Sequence, residues 1–325
     1  MKKLIKNIAC LAGIDTERKH CLRGSEMATL NCINNAWLVI DGDRFDSWGP
    51  MDKLPDVGYD WDVIDAEGGT VLPSWCDSHT HIVYAGSREG EFVDKIRGLS
   101  YAEIARRGGG ILNSADRLHL LDEDELYRQA MRRVREIIAK GTGAVEIKSG
   151  YGLNTEDELK MLRVIRRISE TTPLKVVSTF LGAHAVGRAY AGRQGEYVDM
   201  LISEMIPEVG KQGLADFIDV FCDEGFFTPD ETSRILETGS KWGMRPKIHV
   251  QELAPSGGVE VGVKHNAVSV DHLESMTDED IEMLKDTDTI PTGLPGTSFF
   301  LNMPFAPARK MIEAGLPVAT ASDYN

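Results

Sequence analysis

Val71-Leu72-Pro73-Ser74-Trp75-Cys76-Asp77-Ser78-His79-Thr80-His81 is a short, largely apolar run that ends in two histidines one residue apart. In an extended strand, residues i and i+2 point to the same face, so both imidazoles can reach one metal ion while Thr80 points away. Alone, such a pair is equally at home hydrogen-bonded at a strand end. Its meaning depends on what recurs along the chain.

Seven more short apolar runs follow, at 144–147, 174–180, 217–221, 246–250, 267–270, 289–291 and 317–321, alternating with segments of helical period. Helix starts are marked by Asp122-x-x-Glu125, Thr155-x-x-Glu158 and Thr277-x-x-Asp280, and by Thr228 followed by Pro229 with Glu231 closing a capping box. Behind the second start, Leu159, Leu162, Ile165 and Ile168 recur at helical spacing and predict a stripe that packs on a sheet. Eight strands alternating with helices predict an α/β fold, a TIM-type (β/α)8 barrel. The competitor is a doubly wound open sheet, but no GxGxxG turn follows the first run. Up to Gly69, short strand-like segments are broken by turn signals at Asp41-Gly42 and Gly68-Gly69. Residues 1–69 therefore read as the N-terminal part of a small β-rich domain, and residues 70–325 as the barrel, ending at its eighth strand.

In such a barrel the active site lies at the C-terminal ends of the strands. Five of the eight histidines fall there: His79 and His81 on the first run, His184 after the third, His249 in the fifth and His272 after the sixth; Asp323 follows the eighth. His79, His81, His249 and Asp323 supply three nitrogens and one oxygen, a ligand set that suits zinc or ferrous iron. The glycines at 108–110, beside Arg106 and Arg107, are followed by no GK[ST] and read as a turn or lid segment near the pocket. Phe299-Phe300-Leu301 reads as core packing.

The balance of 36 Lys+Arg against 51 Asp+Glu gives a formal charge of −15, which argues against a nucleic-acid partner needing a basic face. With 42% hydrophobic and 27% charged residues, the 325-residue chain is globular in composition rather than disordered. No apolar run approaches the roughly 20 residues of a membrane span, so no membrane partner is expected. The start, residues 1–13, only imitates a signal peptide: Lys6 interrupts it and no clear cleavage site follows. Five widely spaced cysteines without a CxxC pair suit a reducing compartment, and the cytoplasm is the default.

These residues carry a resemblance. The HxH, His249, His272 and Asp323 resemble the metal-dependent amidohydrolase superfamily. Within it, further blocks resemble the imidazolonepropionase family: His79-Thr80-His81 continuing to Ala85-Gly86-Ser87-Arg88-Glu89, the block at 101–110, Val145-Glu146-Ile147-Lys148-Ser149-Gly150-Tyr151-Gly152, and Thr179-Phe180-Leu181-Gly182-Ala183-His184. Lys247-Ile248-His249 with Glu252, Val270-Asp271-His272-Leu273, Leu294-Pro295-Gly296-Thr297 and Ser322-Asp323-Tyr324-Asn325 extend the match from residue 70 almost throughout to the end.

The resemblance implies hydrolysis of 4-imidazolone-5-propanoate to N-formimidoyl-L-glutamate in histidine degradation, with water activated by one divalent metal, Zn2+ or Fe2+. His79, His81, His249 and Asp323 would hold the metal, and Asp323 can take the water's proton. His272 would sit beside that water, and Glu252 would contact the ring and deliver a proton to the departing nitrogen. Arg88 would fork onto the substrate carboxylate, with Tyr151, His184 and Asn325 as further substrate or product contacts. Superfamily members with two metals carry a carboxylated lysine on the fourth strand, where this sequence has none; Lys148 ends the second run, so one metal is expected. The family continues for several dozen residues beyond Asn325, so the resemblance implies a fragment lacking the last barrel helix, a substrate-touching loop and strands of the small domain. The competing readings are another cyclic-amide or nucleobase hydrolase or deaminase, and a catalytically silent metal-binding form. A homodimer is the default assembly.

Overall fold

The structure, a computed structural model, describes residues 2–87, 89–99, 103 and 109–325. The chain divides into two compact units, Met1–Ser74 and Trp75–Asn325.

The first unit is a sheet in the order β3-β2-β1-β4, built from β1 (Lys2–Ala12), β2 (Cys32–Asp41), β3 (Arg44–Pro50) and β4 (Asp62–Asp65), with β5 (Thr70–Val71) also pairing β1. An irregularity in the β1–β2 register between Ile5 and Ile8 places Asn7 at φ 55°. Such a bulge breaks the simple alternation of faces. Leu4 accordingly packs with Trp37 and Val39, while Ile8 and Leu11 pack with Ala36 and Leu38.

The second unit is a parallel barrel. Its strands are β6 (Trp75–Asp77), β7 (Thr142–Lys148), β8 (Lys175–Ala183), β9 (Phe217–Cys222), β10 (Arg245–Pro246) continuing as β11 (Ile248–Val250), β12 (Ser269–His272), β13 (Ile290–Gly293) and β14 (Ala319–Thr320), each paired in parallel with the next around the wall. Closure comes from a parallel bridge between Thr80 and Tyr324: His81 N–H donates to Tyr324 O at 2.8 Å and Asp323 N–H donates to His79 O at 3.0 Å. The run that begins at Val71 is not one strand but two pieces, because Pro73 lacks a backbone donor and Thr70–Val71 pairs within the first unit.

Between the strands, Leu159, Leu162, Ile165 and Ile168 of the helix Thr155–Thr171 are buried, each contributing about 1.5–3 kcal/mol of apolar burial. Asp122, Thr228 and Thr277 cap their helices as expected, each side chain accepting from the backbone N–H three residues on. The box expected at Thr155-x-x-Glu158 is different. Asn154 is the cap, accepting from Asp157 N–H, and Glu158 turns back to the preceding loop. Among the described residues, no helix is long and apolar enough to cross a membrane.

Candidate active site

Barrel closure sets the last residues of the chain against the HxH. His79 Nε2 and His81 Nε2 lie 3.5 Å and 3.4 Å from Asp323 Oδ1, and His249 Nε2 lies 3.4 Å from His81 Nε2. One donor nitrogen from each of the three histidines falls within 4.8 Å of the others. Thr80 does point away, its hydroxyl donating to Glu146 O at 2.7 Å. Asp323 adopts a left-handed backbone (φ 53°), uncommon for a residue with a Cβ, and Thr297 donates to its Oδ2 at 2.6 Å, leaving Oδ1 for the histidines.

The geometry fits a divalent cation. His79 Nε2 and Asp323 Oδ1 are buried and make no hydrogen bond among the described residues, a costly arrangement unless something positive sits between them. Burial, then Lys148 and the neighbouring rings, hold the His79 pKa well below its ordinary value; burial, His184 and His249 do the same for His81. Neutral imidazoles present the lone pairs that a metal takes.

Behind the histidines is a buried ionic layer that sequence reasoning missed. His79 Nδ1 is 2.7 Å from Asp271 Oδ2, and His249 Nδ1 is 2.9 Å from Asp219 Oδ2. Lys148 Nζ donates to Asp219 at 2.7 Å and to Glu146 at 2.8 Å; Lys247 Nζ reaches Asp271 at 3.1 Å and donates to Ser78 O at 2.7 Å. Burial opposes ionisation of both Asp219 and Lys148. The His249 ring and Lys148 nevertheless hold Asp219 well below the usual carboxylate range, and Asp219, Glu146 and Asp271 raise Lys148. The available signal was a lone Asp inside the apolar run at 217–221 and a Lys ending that at 144–147, since a charge in a buried strand needs a partner.

His272 Nδ1 stands 3.7 Å from Glu252 Oε2. Burial lifts the Glu252 pKa to about 7, with Asp323 and Glu274 adding to it and His272 opposing. Burial works against a charged His272, but Glu252, Glu274 and Asp323 outweigh it and push its pKa up to about 10. Both groups line a cleft of about 830 Å3 with Tyr151, His184, Asp323 and Asn325. The His184 ring stacks on His81 at 5.1 Å and its Nδ1 lies 3.0 Å from Gly150 O. Gly150 is required there: at φ 109°, a Cβ would fall 2.9 Å from His184 Nδ1. Asn325 Nδ2 donates to Asp323 O at 3.1 Å.

Arg88, Gly108 and most of the block at 101–110 lie outside the described residues. The expected core role of Phe299-Phe300-Leu301 is not what is found. Phe299 is 80% exposed, and Phe300, 48% exposed, stacks on Phe92 at 5.1 Å and lines the cleft with Leu301. The stretch belongs to the short helix Pro295–Leu301, in which Ser298 is the buried residue.

No protein-family model matches the chain. It is 52% identical over 325 residues to the imidazolonepropionase of Flavobacterium johnsoniae, covering 100% of this chain and 79% of the relative. The imidazolonepropionase of Christiangramia forsetii is also 52% identical, with the same coverage. Among solved structures, a triazine hydrolase variant superposes with a TM-score of 0.72 at 17% identity, covering 99% of this chain and 71% of that one. Atrazine chlorohydrolase from Arthrobacter aurescens TC1, complexed with zinc, gives 0.64 at 14% identity, covering 99% and 72%. At these identities the structural likeness is one of fold.

Proposed function

This chain belongs to the imidazolonepropionase family, and we propose how its buried side chains carry out that family's reaction. It is a hydrolase that opens the cyclic amide C–N bond of 4-imidazolone-5-propanoate, giving N-formimidoyl-L-glutamate in histidine degradation.

His79, His81 and His249, with Asp323, would hold one divalent cation, zinc or ferrous iron. When bound, that cation supplies an activated water near neutral pH. Asp323 would take the water's proton. His272, positively charged, orients the water and offsets charge developing on the attacked carbonyl oxygen. Glu252 keeps a proton up to about pH 7 and passes it to the departing ring nitrogen. Arg88 binds the substrate carboxylate as a bidentate fork, a local attraction within a chain of net charge −15. Tyr151 and His184 contact the substrate and Asn325 the product. We read the enzyme as cytoplasmic, in keeping with its free cysteines, and as a homodimer.

The observation that supports this reading is the convergence of two imidazole nitrogens on Asp323 Oδ1 within 3.5 Å, with His272 and Glu252 on the same cleft. The test is hydrolysis of freshly prepared imidazolonepropionate by the chain loaded with zinc or iron, beside Asp323→Asn. Turnover lost in the variant, together with metal, is the expected result. Equal activity of the two proteins would remove Asp323 from the site, and cleavage of a nucleobase in preference to imidazolonepropionate would favour the other superfamily chemistry.

A further inference from the structure

His272 Nδ1 faces two carboxylates, not one: Glu252 Oε2 and Glu274 Oε2 are each 3.7 Å away. A ring nitrogen carries one proton and can give it to one acceptor. If that acceptor were Glu252, the acid needed at the substrate nitrogen would be tied up by its own neighbour.

The two carboxylates are held differently. Glu274 is wholly buried as a side chain, and Ser298 Oγ donates to its Oε1 at 2.8 Å. Glu252 lines the cleft and keeps 12% of its side chain exposed. Glu274 Oε2 and His272 Nδ1 are both buried without a hydrogen bond among the described residues, and they face each other. The backbone brings them together through two successive left-handed residues at the end of β12, His272 (φ 86°) and Leu273 (φ 72°), an uncommon conformation away from glycine. Leu273 N–H donates to Val250 O and Ser275 N–H to Gln251 O, so this turn is pinned to the segment that carries Glu252.

We propose that Glu274, anchored by Ser298, is a positioning residue: its carboxylate accepts the Nδ1–H of His272, fixes the pitch of that ring toward the water, and leaves Glu252 free for the substrate nitrogen. The proposal rests on the roles given above to His272 and Glu252.

The test uses the zinc-loaded chain labelled with 15N-histidine, with the His272 resonance assigned by its loss in His272→Gln. In the parent, Nδ1 is expected to be protonated. Glu274→Gln, whose oxygen is kept by Ser298, turns an amide N–H2 toward Nδ1 and is expected to move that resonance toward an unprotonated nitrogen. It is also expected to lower kcat by about 10–100-fold with KM within about twofold, and to cause no further loss when added to His272→Gln. Ser298→Ala should shift the same resonance less and lower kcat less. An unchanged resonance overturns the proposal, as does an equal fractional loss of kcat in both backgrounds. If His272→Gln itself retains full activity, the role of His272 falls, while the resonance still decides whether Glu274 positions the ring.

Discussion

His79 Nδ1 stands 2.7 Å from Asp271 Oδ2, with both side chains wholly buried. The carboxylate accepts a hydrogen bond from Nδ1–H, so the ring's lone pair is at Nε2, aimed at Asp323 and the other histidines. Asp219 Oδ2 stands at a similar distance, 2.9 Å, from His249 Nδ1. Asp271→Asn presents an amide whose N–H2 can compete for the site of that proton and disturbs the ring. Metal affinity is expected to fall by about 10–100-fold, read by competition with a chelator. Affinity within twofold of the parent would show that Asp271 does not orient His79.

Lys148 is the cation of the same layer, buried between Glu146 and Asp219. Lys148→Met takes the nearest cation from both carboxylates, and breaking a buried pair from one side costs about 3–5 kcal/mol, to be read as a lower urea midpoint. The pH dependence follows from Asp219, whose pKa is depressed in the folded chain. Its stabilising contribution is present above the ordinary value of 3.8 and is lost as pH falls through the folded value. Removing Lys148 raises that folded value, so acid unfolding of the variant should begin at a higher pH. Identical acid and urea midpoints would place the pair among those that contribute nothing.

Glu252 behaves oppositely, since its folded pKa of about 7 lies above the ordinary 4.5. The protonated form is the one the fold favours, and the chain loses stability as pH rises from 4.5 through 7, by up to about 3 kcal/mol. Glu252→Gln should therefore be more stable than the parent at pH 8 and similar to it at pH 4. The same proton makes kcat/KM fall above about pH 7. A profile flat from pH 6 to 9 would exclude Glu252 as the acid.

The histidines were legible because strand ends in a parallel barrel are where side chains meet a common pocket, and i, i+2 spacing survives without knowledge of register. The layer behind them was not. Asp219 and Asp271 sit in apolar strands, and which imidazole each one meets depends on barrel closure: Asp271 lies beside His249 in strand register yet bonds to His79. The Thr155 box failed for a local reason, because Asn154 and Thr155 are both competent caps and Glu158 has a better use. Phe299 and Phe300 were misread since an apolar pair of residues does not report which face of a short helix is covered.

That use of Glu158 is to accept from Gly150, Gly152 and Leu153 N–H at 3.0, 2.7 and 2.9 Å, all buried. The loop so held carries Tyr151 into the cleft. Glu158→Ala leaves three donors unpaired, and each orphaned group costs about 1–3 kcal/mol. The variant is expected to lose several-fold in KM as well as stability, with Glu158→Gln intermediate in both. A stability loss with unchanged KM would separate the loop from substrate binding.

The proposed role of Arg88, which lies outside the described residues, is tested at the substrate carboxylate. A guanidinium that grips the carboxylate equally in ground and transition states contributes uniform binding, so Arg88→Ala should raise KM by about 10–100-fold while kcat changes little. Arg88→Lys keeps the charge but not the fork, and should recover only part of the loss. If the interaction is electrostatic and local to the pocket, added salt should raise the parent's KM and leave that of Arg88→Ala nearly unmoved. An unchanged KM in Arg88→Ala would assign the carboxylate to another group, and a loss confined to kcat would make Arg88 part of the chemistry instead of the grip.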